Sequence, residues 1–241
     1  VQTCALPILR VDQPMLTLRL YRDRMFRNSN TINTLSYASF AAFLFLLPQF
    51  LQSLLGYSAL ESGLTTFPQA VGVILASQFV GKLYHTVGPR RLVAAGLLGV
   101  SLSNIPFMFI TLGVSQMTIR ELMFLRGICM SFAFVPLQAA TYANIAKQDT
   151  GRASAIFSTQ RQASAAIGVA ILATLFHSRL IHLAGNDSPT PDITLQAFHF
   201  AFGGSIVISL LGSIFAAVFI RDIDAKPTMH PRPKKKTLVA S

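Results

Sequence analysis

An all-α integral membrane fold with six transmembrane helices is predicted by three features of this sequence. Mean hydropathy is +0.53, only 12% of residues are charged, and six long apolar stretches are separated by polar or turn-forming clusters. A soluble domain carries about a quarter charged residues and gives each surface helix a polar face. The apolar stretches here lack that face, so lipid suits them and water does not.

A bilayer core about 30 Å thick needs roughly 20 mostly apolar residues per helix. The stretches that meet this length are 31–53, 62–84, 91–113, 118–142, 153–180 and 195–220. The first ends before Gly56-Tyr57-Ser58, the second before Gly88-Pro89, and the fifth before Asn186-Asp187-Ser188-Pro189, all of which favour turns. Strand-period alternation is absent from them. The predicted organisation is a start and linker over 1–30, a six-helix transmembrane domain over 31–221 and a basic tail over 222–241. Residues 1–9 fit poorly with the chain beyond them and have neither a start methionine nor the basic leader of a signal peptide, so they are expected to be artefactual. The stretch from Leu16 to Arg27 reads as a cytoplasmic linker, amphipathic enough to lie on the inner membrane surface.

The formal charge of +11 is a topology signal. Arg10, Arg19, Arg22, Arg24, Arg27, Lys82, Arg90, Arg91, Lys147, Arg152, Arg221, Lys226, Arg232, Lys234, Lys235 and Lys236 fall on one side of the six stretches, and only Arg120 and Arg179 on the other. Short cytoplasmic loops hold such an excess. Both termini are therefore expected in the cytoplasm of a multi-pass protein of the cell (inner) membrane, and no nucleic-acid partner is expected. Cys4 and Cys129 are too few for a disulfide framework or a cysteine metal site. His177, His182 and His199 lie towards the outer ends of the last two stretches without an accompanying carboxylate, so no metal and no cofactor is expected. An enzyme is disfavoured because no nucleophile–base set or carboxylate pair falls at one depth.

An inverted repeat is faintly legible. Phe45-Leu46-Leu47-Pro48-Gln49 ends the first stretch, and Phe134-Val135-Pro136-Leu137-Gln138 sits similarly in the fourth, which crosses the membrane in the opposite direction. Pro48 and Pro136 are candidate hinges, since proline frees a backbone carbonyl. Gln49, Gln138 and Gln160 are candidate cavity residues. Arg126 and Arg161 fall inside apolar stretches, where an ionised group is costly unless it faces protein or water, and both are candidate transport residues. An inter-helix clamp to backbone carbonyls is the structural alternative for each. No Asp or Glu falls deep in any stretch.

The loop Gly81-Lys82-Leu83-Tyr84-His85-Thr86-Val87-Gly88-Pro89-Arg90-Arg91 resembles the signature loop of the major facilitator superfamily, Gly-x-Leu-x-Asp-Arg-x-Gly-Arg-Arg. Gly81, Leu83, Gly88 and Arg90 match, whereas His85 and Thr86 replace the Asp–Arg pair. On physical grounds Gly81 is expected to allow close helix approach, Gly88 to turn the chain, and Arg90 and Arg91 to anchor to headgroups or to a neighbouring helix end. The linker Leu18 to Phe26, the loop Tyr57 to Leu64, Arg126-Gly127 before Pro136, and Gly151-Arg152-Ala153-Ser154 before Arg161-Gln162 narrow the likeness to the EmrB/QacA type of drug:proton antiporter, the fourteen-helix group. That resemblance implies a C-terminal half with an inverted three-plus-three repeat, lacking about eight preceding helices that hold the proton-coupling carboxylates. It implies export of small lipophilic, often cationic compounds by alternating access, no activity for this half alone, and a periplasmic adaptor as a candidate further partner. A facilitator of another substrate class and a non-transporting membrane scaffold or fragment are the alternatives.

Overall fold

The computed structural model of the chain describes residues 18–185 and 188–220, so the expected artefactual start and the basic tail lie outside the described residues. Asp23 opens the first long helix. Its carboxylate accepts the Phe26 N–H at 2.7 Å, an N-cap, and α1 runs Arg24–Ser53 rather than from residue 31. The described part of the segment before it is anchored to the bundle. Leu18–Arg22 forms a 3-10 turn, and Leu20 and Tyr21 pack against Phe26, Ala153 and Ile156.

Ser58 and Glu61 form a capping box, with Ser58 N–H donating to Glu61 Oε2 at 2.8 Å and Glu61 N–H to Ser58 Oγ at 3.2 Å. This starts α2 (Ala59–Thr66), and Pro68, which needs no N–H at the first turn, starts α3 (Pro68–Val87). The expected second span is thus two helices in series. A turn at Gly88 leads into α4 (Pro89–Asn104), which tightens into a 3-10 turn, Ile105–Met108, around Pro106 instead of continuing to residue 113. α5 (Gln116–Thr141) stays helical through Pro136. α6 (Thr150–Ala184) continues past residue 180 until Gly185, which has φ 59°. α7 (Pro191–Phe219) begins where Thr190 Oγ1 accepts from the Ile193 N–H. No strand occurs among the described residues. Among the described residues, six spans are long and apolar enough to cross a membrane: α1, α2 with α3, α4 with its 3-10 turn, α5, α6 with the 3-10 turn before it, and α7.

Packing follows an inverted repeat of three plus three spans. α3 packs mainly on α5 as α6 packs on α1, and α4 packs on α5 as α7 packs on α1. The α4–α7 and α1–α5 contacts join the two triplets. Exchanging the triplets α1, α2–α3, α4 and α5, α6, α7 turns α3–α5 into α6–α1 and α4–α5 into α7–α1 and leaves α4–α7 and α1–α5 unchanged, as a two-fold axis in the membrane plane requires. The close α6–α7 packing, by contrast, has only a slight counterpart in α3–α4. α1, α4 and α5 are the most enclosed spans, and the α2–α3 and α6 spans the least.

Apolar packing dominates one end of the bundle. Phe43, Phe50, Phe107, Phe198 and Phe202 are fully buried there against Leu46, Leu47 and Met123. At the other end Met25, Ile32, Val93, Leu97, Leu137 and Ile220 form a smaller core. Between helices the contacts depend on small residues, since lipid supplies little hydrophobic drive for helices to associate. Gly127 of α5 meets Gln69 of α3, Gly168 of α6 meets Ala38 of α1, and Gly96 of α4 meets Phe132 and Ala133 of α5.

Candidate functional site

Arg126 is the largest fully buried side chain in the bundle. Because α3 approaches α5 closely at Gly127, the Gln69 carboxamide reaches the guanidinium, and Nη1 donates to Gln69 Oε1 at 2.9 Å. Nε donates to Oδ1 of Asn104, the last residue of α4, also at 2.9 Å. The guanidinium carbon lies 4.0 Å above the Phe43 ring of α1, close enough for a cation–π contact. No carboxylate of a described residue pairs with it, and Nη2 has no hydrogen-bond partner among them. The expected clamp to backbone carbonyls is replaced by a clamp to two side-chain amides and an aromatic face. Asn104 Nδ2 continues the network to Ser205 Oγ at 3.4 Å, and Ser39 Oγ donates to the Ser205 carbonyl at 2.9 Å. A buried polar column therefore links the three most enclosed helices, α1, α4 and α5, to α7.

Arg161 occupies a different setting. It is half-buried on α6, with Nη1 3.5 Å from Tyr37 Oη and its guanidinium carbon 5.3 Å from the Tyr37 ring centre. It lines an open hollow of about 580 Å³ with Tyr37, Phe40, Ala41, Leu44, Phe45, Gln162 and Ala165. A second hollow of about 560 Å³ shares Leu44 and Phe45 and adds Pro48, Gln49, Gln52 and Ser53. Both belong to one groove along α1. The candidates Arg161, Pro48 and Gln49 thus meet in it, whereas Arg126 does not join them. Phe134 of α5 stacks edge-on to Tyr37 at 4.7 Å and to Phe40 at 6.0 Å, closing the wall on that side.

Gln160 does not line this groove. Its Nε2 donates to Thr34 Oγ1 at 2.6 Å and to the Asn30 carbonyl at 3.1 Å, and its Oε1 accepts from Tyr21 Oη at 2.7 Å. It is a clasp between α6, α1 and the preceding turn. Burial pushes the Tyr21 phenol up from its ordinary value. Pro136 is buried within α5, and Gln138 is exposed near the end of that helix, outside the hollows.

The signature-loop residues divide. Gly88 has φ 86°, a region that favours glycine, and turns α3 into α4. Arg90 Nε donates to the Ala217 carbonyl near the end of α7 at 2.7 Å, the expected anchoring to a neighbouring helix end. Arg91 is exposed, and Leu83 is 40% exposed. Gly81 departs from expectation. A Cβ there would meet nothing within 4 Å, so it makes no close helix approach within this chain. Gly81→Ala is therefore expected to leave packing intact and to raise thermal stability by about 0.5–1 kcal/mol, the helix preference of alanine over glycine, measured by thermal unfolding in detergent. A loss of stability would mean that Gly81 is in close contact after all.

His199 Nε2 lies 2.8 Å from the Ile110 carbonyl, and no group of three metal-binding side chains occurs among the described residues. Tyr37, Phe40, Phe45, Phe43 and Asn104 are site residues that the sequence reading missed. The three- and four-residue spacing of Tyr37, Ala41, Leu44, Phe45, Pro48, Gln49 and Gln52 was a usable signal for the groove. The pairing of Asn104 with Arg126 left no such trace.

An inverted three-plus-three bundle of six spans, with a polar column inside and an open amphipathic groove on one face, defines a multi-pass membrane protein of transporter architecture. The family profile described as Major Facilitator Superfamily matches residues 32–240, and the chain belongs to that superfamily. It is 30% identical over 171 residues to the uncharacterized MFS-type transporter YhcA of Bacillus subtilis, covering 71% of this chain and 32% of that protein. It is 28% identical over 194 residues to the multidrug resistance protein B homolog of Mycobacterium tuberculosis, covering 76% and 35%. With the lincomycin resistance protein LmrB of Listeria monocytogenes it shares 29% identity over 167 residues, covering 69% and 36%. The chain spans about a third of the length of these curated relatives.

Proposed function

We propose that this chain is the C-terminal half of a multidrug efflux secondary transporter, which exports lipophilic, often cationic compounds in exchange for protons by alternating access and is inactive without its other half. The observation that carries this reading is the groove along α1. An aromatic and amide-lined face opened on one side of a membrane bundle suits a translocation path whose second wall comes from elsewhere. The relatives named for resistance to drugs, of which the matched segment is only about a third, support the same reading. Proton coupling needs a titratable group in reach of both sides. No carboxylate lies deep in a described span, so that group is assigned to an N-terminal half of about eight helices. The excess of basic residues on one side of the spans supports a cell-membrane location with both termini in the cytoplasm. Its partners are the bilayer, the N-terminal half, the lipophilic substrate and, in cells with a second membrane, a periplasmic adaptor.

The test is to express the complete genomic reading frame, and separately this chain, in cells stripped of their main efflux pumps, and to follow ethidium accumulation. The complete frame is expected to lower accumulation in a way that a protonophore reverses, and the chain alone to have no effect. Export by the chain alone, or a complete frame that encodes only six spans, would overturn the half-transporter reading.

A further inference from the structure

The α1 groove holds one formal charge. Among the residues lining both of its hollows only Arg161 is ionised, and no carboxylate joins it. Its hydrogen bond to the Tyr37 phenol, at 3.5 Å, is to a neutral group, the Tyr142 phenol lies within its electrostatic reach, and it forms no ion pair among the described residues. A guanidinium facing a low-dielectric groove without a counter-charge favours any anion that can enter. Its planar fork fits the oxygens of a carboxylate or sulfonate two at a time. Beside it, Tyr37, Phe40 and Phe45 offer aromatic walls for a flat apolar body. Further along, Gln49 and Gln52 add neutral amides and no charge. The stripe from Tyr37 to Gln52 runs about 22 Å along the helix, long enough to hold an amphiphile with its charged end at Arg161.

We propose that Arg161 sets the charge preference of this groove, which receives amphiphilic organic anions, a carboxylate or sulfonate on an aromatic body, over cations of the same shape. The inference rests on the export reading for its physiological meaning and departs from it in charge: any preference for cations must come from outside this chain.

The experiment is equilibrium binding of radiolabelled 2-naphthalenesulfonate and 2-naphthyltrimethylammonium, two probes with one body and opposite charge. The protein is purified from its complete reading frame in uncharged detergent with phosphatidylcholine. The sulfonate is expected to bind about tenfold more tightly than the ammonium. Arg161→Gln should bring the ratio of the two Kd values close to one, and Arg161→Lys should keep most of it. Because the ratio is taken within one sample, partial unfolding of a variant does not alter it. Equal binding of both probes by the unsubstituted protein, or a ratio that survives Arg161→Gln, overturns the proposal. So does equal weakening of both probes by Arg161→Gln, which assigns the arginine to an ion pair with another element of the protein. Displacement of the sulfonate by phosphatidylglycerol assigns the site to lipid headgroups and also overturns it. Ethidium export without this anion preference removes the inference alone, and anion preference without export removes the export reading alone.

Discussion

Arg126→Ala is expected to destabilise the bundle by about 3 kcal/mol, read by thermal unfolding in detergent. Opposing effects set the sign. Removing a cation that has no carboxylate partner among the described residues relieves a desolvation cost. Against that, the acceptor oxygens of Asn104 and Gln69 lose their donor, at about 1–3 kcal/mol each when buried. The volume of a fully buried arginine is also left empty between α5, α4 and α1, and large-to-alanine changes of this kind cost about 2–5 kcal/mol. The Phe43 face loses its cation as well. The cavity and the stranded amides together outweigh the relief. Arg126→Met separates the two, because it refills most of the space and donates nothing. It is expected to cost about 1–2 kcal/mol. A methionine variant as stable as the original would show that the guanidinium contributes nothing to folding, and Arg126 would then have to be explained by function.

The two intramembrane arginines also show how far the sequence could be read. Six spans and their order were legible because both depend on composition and length, which lipid imposes directly, whereas the inverted repeat left only the faint echo of Pro48-Gln49 in Pro136-Leu137-Gln138. That Arg126 and Arg161 fall inside long apolar helices was legible from the same composition. Their different settings were not. Arg126 points into the bundle and Arg161 towards the groove because of helix rotation, which the close contacts at Gly127 and Gly168 fix and apolar periodicity in a membrane helix does not report. In water a polar face marks which way a helix turns; in lipid the outer face is as apolar as the core. Gly81 illustrates the reverse error. A glycine in a recognised loop pattern suggested close packing, and the geometry places that role on Gly127, Gly168 and Gly96.

Gly127→Ala is the second large effect, with an expected loss of about 2 kcal/mol in the same unfolding measurement. A Cβ on Gly127 would fall inside contact distance of the Gln69 backbone carbonyl, and one on Gly168 inside that of the Ala38 backbone. A flexible side chain can swing away from a new methyl group, but a helix backbone can yield only by moving the whole helix. The strain, about 1–3 kcal/mol or more, exceeds the roughly 1 kcal/mol that alanine gains over glycine in helix preference. Gly168→Ala should behave alike, since α6 on α1 repeats α3 on α5. The two differ in what the moving helix carries. Pushing α3 off α5 also withdraws Gln69 from Arg126, whereas the Ala38 wall supplies Arg126 with no hydrogen-bond acceptor. In double-mutant cycles with Arg126→Met, Gly127→Ala should therefore be less than additive by more than about 0.5 kcal/mol, and Gly168→Ala should show a smaller coupling. If Gly127 and Arg126 prove additive, the close approach of α3 and the arginine clamp are independent, and the glycine serves packing alone.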